Sequence, residues 1–263
     1  MPANIPPSRR ILNVEPSRNT DKDWQFEHAA EAGLLTATGP VPASKDLRAP
    51  WWKVGDQGET GSCVGWASAD GVLRWHFVQA KRLLPAKLIS PRFIWMAAKE
   101  TDDDVSQPTT MIESAGTTLK AALDVVRRFG AVEDSLLPFG PGQLYAAEAK
   151  TFYAIAAQLK LASYFNLGTD LGNWRTWLAT KGPILTRLGV DRTWDQASNT
   201  QGNMDQYQPA TVRGGHAVAL VGFTADRLIV RNSWGTGWGD KGFGYASFAY
   251  AQAAFTESYG VSL

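Results

Sequence analysis

The chain has 263 residues, 26 Lys+Arg against 25 Asp+Glu for a formal charge of +1, and 44% hydrophobic residues. That composition provides for a sizeable core in one or two domains and excludes disorder for the bulk. It gives no electrostatic case for nucleic acid or an anionic membrane. The single cysteine forbids an internal disulfide and any multi-cysteine metal site.

Residues 1–40 are rich in Pro, Ser and charge, with little periodicity. They read as an N-terminal extension or short pro-like arm, which Trp24 and Phe26 are placed to anchor. The first residues contain no apolar stretch of the ~7–15 residues a secretory signal needs, and runs such as Ala217 to Val221 fall far short of the ~18–20 of a membrane span. The expectation is a cytoplasmic protein, or one delivered outside the cell without a classical signal. From Asp46 the texture changes to dense aromatics and glycines. Ser62 to Leu84 has helical spacing, with Ser62 of the N-cap type. Pro91 to Lys99 suits a helix with Pro in its first turn, and Thr118 to Phe129 a helix stopped by Gly130. Glu148 to Tyr164 and Leu171 to Lys181 read as further helices. Pro183 to Val190, His216 to Phe223, Arg227 to Asn232 and Gly242 to Phe248 are short apolar runs between Gly, Asn and Asp, which are strand signals. Helices followed by strands argue α+β with segregated layers and a cleft between them.

Cys63 lies at the start of the first long helix, in Asp56-Gln-Gly-Glu-Thr-Gly-Ser-Cys-Val-Gly-Trp66. The unpaired N–H groups and positive dipole end of a first turn favour a thiolate, whereas a lone free cysteine is otherwise usually a small buried apolar residue. His216 stands at the mouth of an apolar strand and Asn232 comes 16 residues later, at the end of the next strand. Adjacent antiparallel strands put them side by side, with the Asn carbonyl on one imidazole nitrogen and the other facing a thiol. His28 and His76 read as structural.

Together these segments resemble the papain-like cysteine peptidases, from about Asp46 to the C-terminus. Cys63 matches that family's nucleophile, His216 its base, Asn232 the residue that orients the base, and Gln57, six residues before Cys63, the oxyanion glutamine. Asn232-Ser-Trp-Gly-Thr-Gly-Trp-Gly239 is close to identical to the family's asparagine block, which makes Trp234 the indole over the Asn–His hydrogen bond. The resemblance implies a two-lobed papain-like fold, with a helical lobe over about 55–140 and an antiparallel β-barrel-like lobe over about 141–263 plus the start of a domain spanning 41–263. It implies no metal or cofactor, a peptide or protein substrate, and a monomer. The implied chemistry is attack by a Cys63 thiolate, paired at rest with a His216 imidazolium, and an acyl-enzyme that water hydrolyses. Ser114-Ala115-Gly116 resembles the family's glycine-rich ledge, where Gly116 and Ala115 meet extended substrate. Ala217 falls in the pocket for the second residue before the cut. By register from Pro183, Arg187 forms another wall, and an acidic preference there is the expectation; the alternative is that Arg187 pairs with a local carboxylate.

Thr60 replaces a half-cystine of secreted relatives, in keeping with a reducing compartment, and Val64 stands where they usually carry Trp. The arm is far shorter than the pro-region of lysosomal members, and a self-inhibitory role over the cleft is open. Absence of disulfides and of a long pro-region suggests a bacterial enzyme. Two other functions fit the same residues: a non-catalytic peptide-binding pseudo-peptidase, and a transpeptidase that passes the acyl group to an amine. Gly235-Thr-Gly-Trp-Gly239 lacks a following helix and reads as turn geometry, not a nucleotide loop. Asp102-Asp103-Asp104 reads as a solvated loop, the Trp residues as core or cleft aromatics, and Tyr145 to Tyr164 as a core-facing helix.

Overall fold

Helices crowd the first half of the chain and strands the second in the computed structural model, which describes residues 5–35, 40–103 and 107–263. Two 3₁₀ turns, Pro7–Arg9 and Thr20–Lys22, precede α1 (Phe26–Glu31) and β1 (Lys45–Asp46). Phe26 packs on the core and Ala29 is fully buried, so α1 fastens the arm as expected. Trp24 does less: its ring lies 5.8 Å from Phe165 but stays 54% exposed.

The long helix at the cysteine comes in three parts: α2 (Cys63–Ser68), a π-helical turn at Ala69–Leu73, and α3 (Arg74–Gln79). It stops short of Leu84, and the Ser62 side chain makes no capping bond. Glycines let this run approach its neighbours closely. A Cβ on Gly65 would overlap the Pro91 carbonyl, and one on Gly71 would come within 2.9 Å of the Ala219 Cβ. α4 (Pro91–Thr101) is capped by Ser90 Oγ, which accepts from the Phe93 N–H at 3.0 Å; α5 (Leu119–Arg128) is capped by Thr118 and followed by Gly130 at φ 101°. That positive φ is the left-handed geometry a glycine stop supplies.

α6 (Ala149–Ala156) ends well before Tyr164. After a 3₁₀ turn at Ala157–Leu159 the chain enters β2 (Ser163–Asn166) instead, because Tyr164 and Phe165 are buried by pairing with the last strand of the chain. α7 (Leu171–Thr180) starts at Asp170, whose carboxylate accepts from the Asn173 N–H at 2.8 Å. β3 (Ile184–Val190), β4 (Asn203–Met204), β5 (Gly214–Phe223), β6 (Arg227–Arg231), β7 (Phe243–Ser247), α8 (Phe248–Ala254) and β8 (Phe255–Ser262) complete the fold. The sheet order is β2-β8-β3-β5-β6-β7-β4, with β1 on β5. The described strands pair antiparallel except β4 with β7, and the sheet is open rather than closed. The central β5 packs against α2, so the two expected lobes meet where the cysteine and histidine lie. In the acidic loop Asp102 accepts from Thr118 Oγ1 at 3.2 Å, while Asp104 lies outside the described residues.

Candidate active site

Loop 55–57 is held against the residues that follow β6. The Gln57 N–H donates to the Ser233 carbonyl at 2.8 Å, the Gly235 N–H donates to Gly55 at 3.0 Å, and Asp56 bridges Trp234. The Gln57 side chain is fixed at both ends. Its Oε1 accepts from Ser233 Oγ at 2.8 Å, and its Nε2 donates to the Thr60 carbonyl at 3.1 Å. One amide hydrogen remains for another acceptor, since Nε2 carries two. Cys63 opens α2 and is completely buried, its thiol beside the Ala217 backbone N–H. Ala217 follows His216 on β5, so the thiol lies against the backbone of the residue next to the histidine. Burial pushes the Cys63 thiol up to about 11.

β5 and β6 are antiparallel neighbours and bring His216 to Asn232. His216 Nε2 and Asn232 Oδ1 are 2.8 Å apart, and the same Oδ1 accepts from the Ser233 N–H at 2.8 Å. A backbone donor on Oδ1 identifies it as the oxygen, so the proton of this ring sits on Nε2. Nδ1 is left as the acceptor, buried and without a hydrogen-bond partner. Burial lowers the imidazole to about 4, against a smaller opposing effect of Asn232. In this enclosed site desolvation works against both charges of the expected ion pair, pushing the thiol up and the imidazole down.

Trp234 covers the ring as expected, with centroids 4.9 Å apart. A second indole was not foreseen. Trp194 meets His216 edge-on at 5.6 Å and stacks on Trp238 at 4.8 Å. Its own Nε1–H donates to Tyr250 Oη at 3.0 Å, and that hydroxyl donates to Asp191 at 2.6 Å. Trp194 lies in the 3₁₀ turn Arg192–Gln196, and no local pattern marks it. Equally unforeseen is the tie between the cysteine helix and the asparagine strand. Asp70 in the π turn accepts from Arg74 at 2.8 Å and from Arg231, the residue before Asn232, with all three side chains buried.

The expected substrate ledge and pocket are occupied by the arm. Asn13 pairs in parallel with Gly215, and the Val14 N–H donates to the Gly215 carbonyl at 3.2 Å. The Asn13 amide donates to the Ser114 carbonyl, and a Cβ on Gly116 would overlap the Asn13 carbonyl. Ala115 turns its carbonyl to the Trp95 indole at 3.0 Å. Ala217 is buried beneath. Arg187 donates to the Val14 carbonyl at 3.1 Å and to Thr256 Oγ1 at 2.9 Å, opposite Glu257 in the β3–β8 register. Farther along, Ser17 N–H donates to Glu257 at 3.0 Å, and Asp23 binds Lys120 and accepts from Tyr259 Oη at 2.8 Å. Burial raises the Glu257 carboxyl above its ordinary range. Among the described residues no cluster of His, Cys, Asp or Glu is placed to hold a metal ion, and no helix is long and apolar enough to cross a membrane.

Comparison with known proteins agrees with this geometry. The family model described as "Papain family cysteine protease" matches residues 41–257. Peptidase 1 of Psoroptes ovis is 28% identical over 233 residues, covering 85% of this chain and 66% of that protein, so the chain spans just under two thirds of that relative. Among solved structures, xylellain, a cysteine protease from Xylella fastidiosa, superposes with a TM-score of 0.78 at 21% identity, covering 97% of this chain and 96% of its own. Digestive procathepsin L 3 of Tenebrio molitor larval midgut gives 0.68 at 16% identity, over 97% and 78% of the two chains.

Proposed function

Because the chain belongs to the papain family of cysteine proteases, we propose that it hydrolyses peptide bonds through Cys63 and His216 and that its own N-terminal arm holds it latent. The observation that supports the reading is the His216–Asn232 contact at 2.8 Å, with the Cys63 thiol against the backbone of the next residue, Ala217, and residues 12–14 packed on Gly116, Gly214 and Gly215. With the arm withdrawn, water reaches the pair and lowers the cost of separating charge. The proton then moves from Sγ to Nδ1, giving a thiolate and an imidazolium. The thiolate attacks the scissile carbonyl, whose oxyanion is met by the Cys63 N–H and the remaining Gln57 amide hydrogen. His216 gives its Nδ1 proton to the departing amine. The ring then takes a proton from water, which cleaves the thioester. Asn232 keeps the ring turned so that Nδ1, not Nε2, faces sulfur.

The arm's direction supports latency over cleavage. It passes Trp234 at Arg10 and reaches Arg187 at Val14, so it enters on the leaving-group side and exits over the pocket lined by Ala217 and Arg187. A substrate read by that pocket runs the other way. The neighbour named as a procathepsin is consistent with an N-terminal inhibitory segment.

The test is intact mass after exposure to a peptidyl epoxide. Single labelling of wild type, slower labelling of His216→Ala and none of Cys63→Ala is the expected pattern. An unlabelled wild type that stays unlabelled after Arg10→Ala and Asn13→Gly loosen the arm would defeat the peptidase reading.

A further inference from the structure

Arg10 is almost wholly taken in by the enzyme surface. Its side chain is 1% exposed, although Pro7–Arg9 and the rest of the preceding turn are not buried. Nη1 donates to Asp56 Oδ1 at 2.5 Å and to the Gly58 carbonyl at 3.0 Å. Nη2 donates to Asp56 Oδ2 at 3.3 Å and to the Trp234 carbonyl at 3.1 Å. The guanidinium carbon stands 5.8 Å from the Trp234 ring centroid. A forked carboxylate, two converging carbonyls and an aromatic face make a receptor for a planar cation.

The receptor belongs to the enzyme rather than to the arm. Asp56 is set by its backbone bridge to Trp234 and by the Gly58 N–H, which donates to Oδ1 at 2.9 Å. Gly58 and Trp234 are placed by the same pairing of loop 55–57 with 233–235 that fixes Gln57. Nothing in that framework depends on Arg10. When the arm leaves, both carbonyls lose the guanidinium together and the carboxylate keeps only the Gly58 N–H. The next acidic side chain, Glu59, binds Arg9 and faces the same approach. Partly buried acceptors without donors are costly, and a ligand that supplies a guanidinium recovers that cost.

We infer that Asp56, with the Gly58 and Trp234 carbonyls, forms a leaving-group-side subsite that selects substrates carrying arginine just after the scissile bond, and that Arg10 is its resident stand-in. The inference rests on the peptidase reading only for calling the ligand a substrate; the recognition itself is a binding property. Arginine is favoured over lysine because a point ammonium cannot engage both carboxylate oxygens and two carbonyls at once.

The experiment uses the full chain carrying Cys63→Ser, to prevent turnover, and Arg10→Gln, to vacate the subsite. Fluorescein-labelled alanine-rich hexapeptides with arginine at each position in turn are titrated against the same peptides with citrulline, which keeps the shape and removes the charge. At least one register is expected to bind arginine about tenfold more tightly than citrulline, the scale of one charge-assisted contact at a partly exposed site. Adding Asp56→Asn is expected to equalise the pair while the thermal midpoint stays in place. Equal affinities without Asp56→Asn, or binding of neither peptide, would overturn the subsite. Epoxide labelling of the Arg10→Gln chain with Cys63 intact reports separately on the peptidase reading, so the two can fail independently.

Discussion

Asp70→Ala tests whether the cysteine helix and the asparagine strand are held as one unit. The carboxylate sits between two guanidinium groups, its side chain 6% exposed and those of Arg74 and Arg231 at 5% and 2%. Removing it leaves two buried cations without a counter-charge, a loss that typically costs about 3–5 kcal/mol. Each arginine keeps neutral partners: Arg74 donates to the Trp51 and Pro85 carbonyls, Arg231 to those of Trp52 and Lys53. Those four bonds hold the loss near the lower end, so about 3 kcal/mol is expected. For a chain of this size that lowers the thermal midpoint by roughly 6–12 °C. Calorimetry or urea unfolding gives the number directly. Because Arg231 immediately precedes Asn232, the epoxide labelling rate of the folded fraction is expected to fall as well. Replacing all three, as Asp70→Leu with Arg74→Met and Arg231→Met, removes the charges together and is expected to recover most of the stability but not the labelling rate. A loss under about 1 kcal/mol from Asp70→Ala, with labelling unchanged, would refute the idea that this triad ties the two halves of the site.

Arg10→Ala deletes four hydrogen bonds, two of them to a carboxylate; about 2–3 kcal/mol of arm closure is at stake, so stopped-flow labelling of the full chain is expected to speed up roughly 30–160-fold. His76 and His216 are both lowered from 6.5 to about 4 by burial. Two and a half pH units at ~1.36 kcal/mol each come to roughly 3 kcal/mol per ring, present above pH 6.5 and lost as pH falls toward 4. Thermal melts between those values are expected to show the decline, and His76→Phe to flatten it. Arg187→Ala is expected to abolish any preference for an acidic second residue before the cut in a peptide library; a preference that survives places its cause elsewhere on the wall that Arg187 shares with Glu257.

What was legible in the sequence was what short segments carry. Cys63 at a helix start, His216 on one strand and Asn232 just past the end of the next are local patterns, and the sheet pairing of β5 with β6 brings His216 and Asn232 to one another. The helix at Cys63 shows its apolar spacing but not its π turn, which accommodates the buried Asp70 facing Arg231, 161 residues away. Tyr164 and Phe165 continue the apolar spacing of α6, yet they become β2 because β8 offers an edge to pair with, and β8 carries no turn signal of its own. Trp194 reads as one core aromatic among many until its edge is found on His216. The arm was legible as an arm; its route was not, because Arg10 finds Asp56 and Asn13 finds Ser114 across separations of 46 and 101 residues.

The enclosed site also constrains what acid can do to latency. Under the arm, burial favours a neutral thiol and a neutral imidazole, so the proposed dyad keeps its one shared proton on sulfur. In the proposed open state it again holds one proton, now on Nδ1 beside a thiolate. Opening thus moves a proton within the pair without taking one from solution, and across neutral pH the dyad makes opening neither easier nor harder. Any pH response of the arm must come from the groups that hold it. Glu257, raised by burial while it accepts the Ser17 N–H, pulls in one direction. If its carboxyl returns to the ordinary range once the arm leaves, the covered state binds that proton more tightly, so acid favours closure through this residue and rising pH weakens it. Replacing Glu257 by Gln is therefore expected to leave an arm that opens more readily on acidification than wild type does, read as the labelling rate at pH 4.5 divided by that at pH 7. An unchanged ratio would mean that Glu257 keeps the same proton affinity in both states and that the acid response lies in the arm's other contacts.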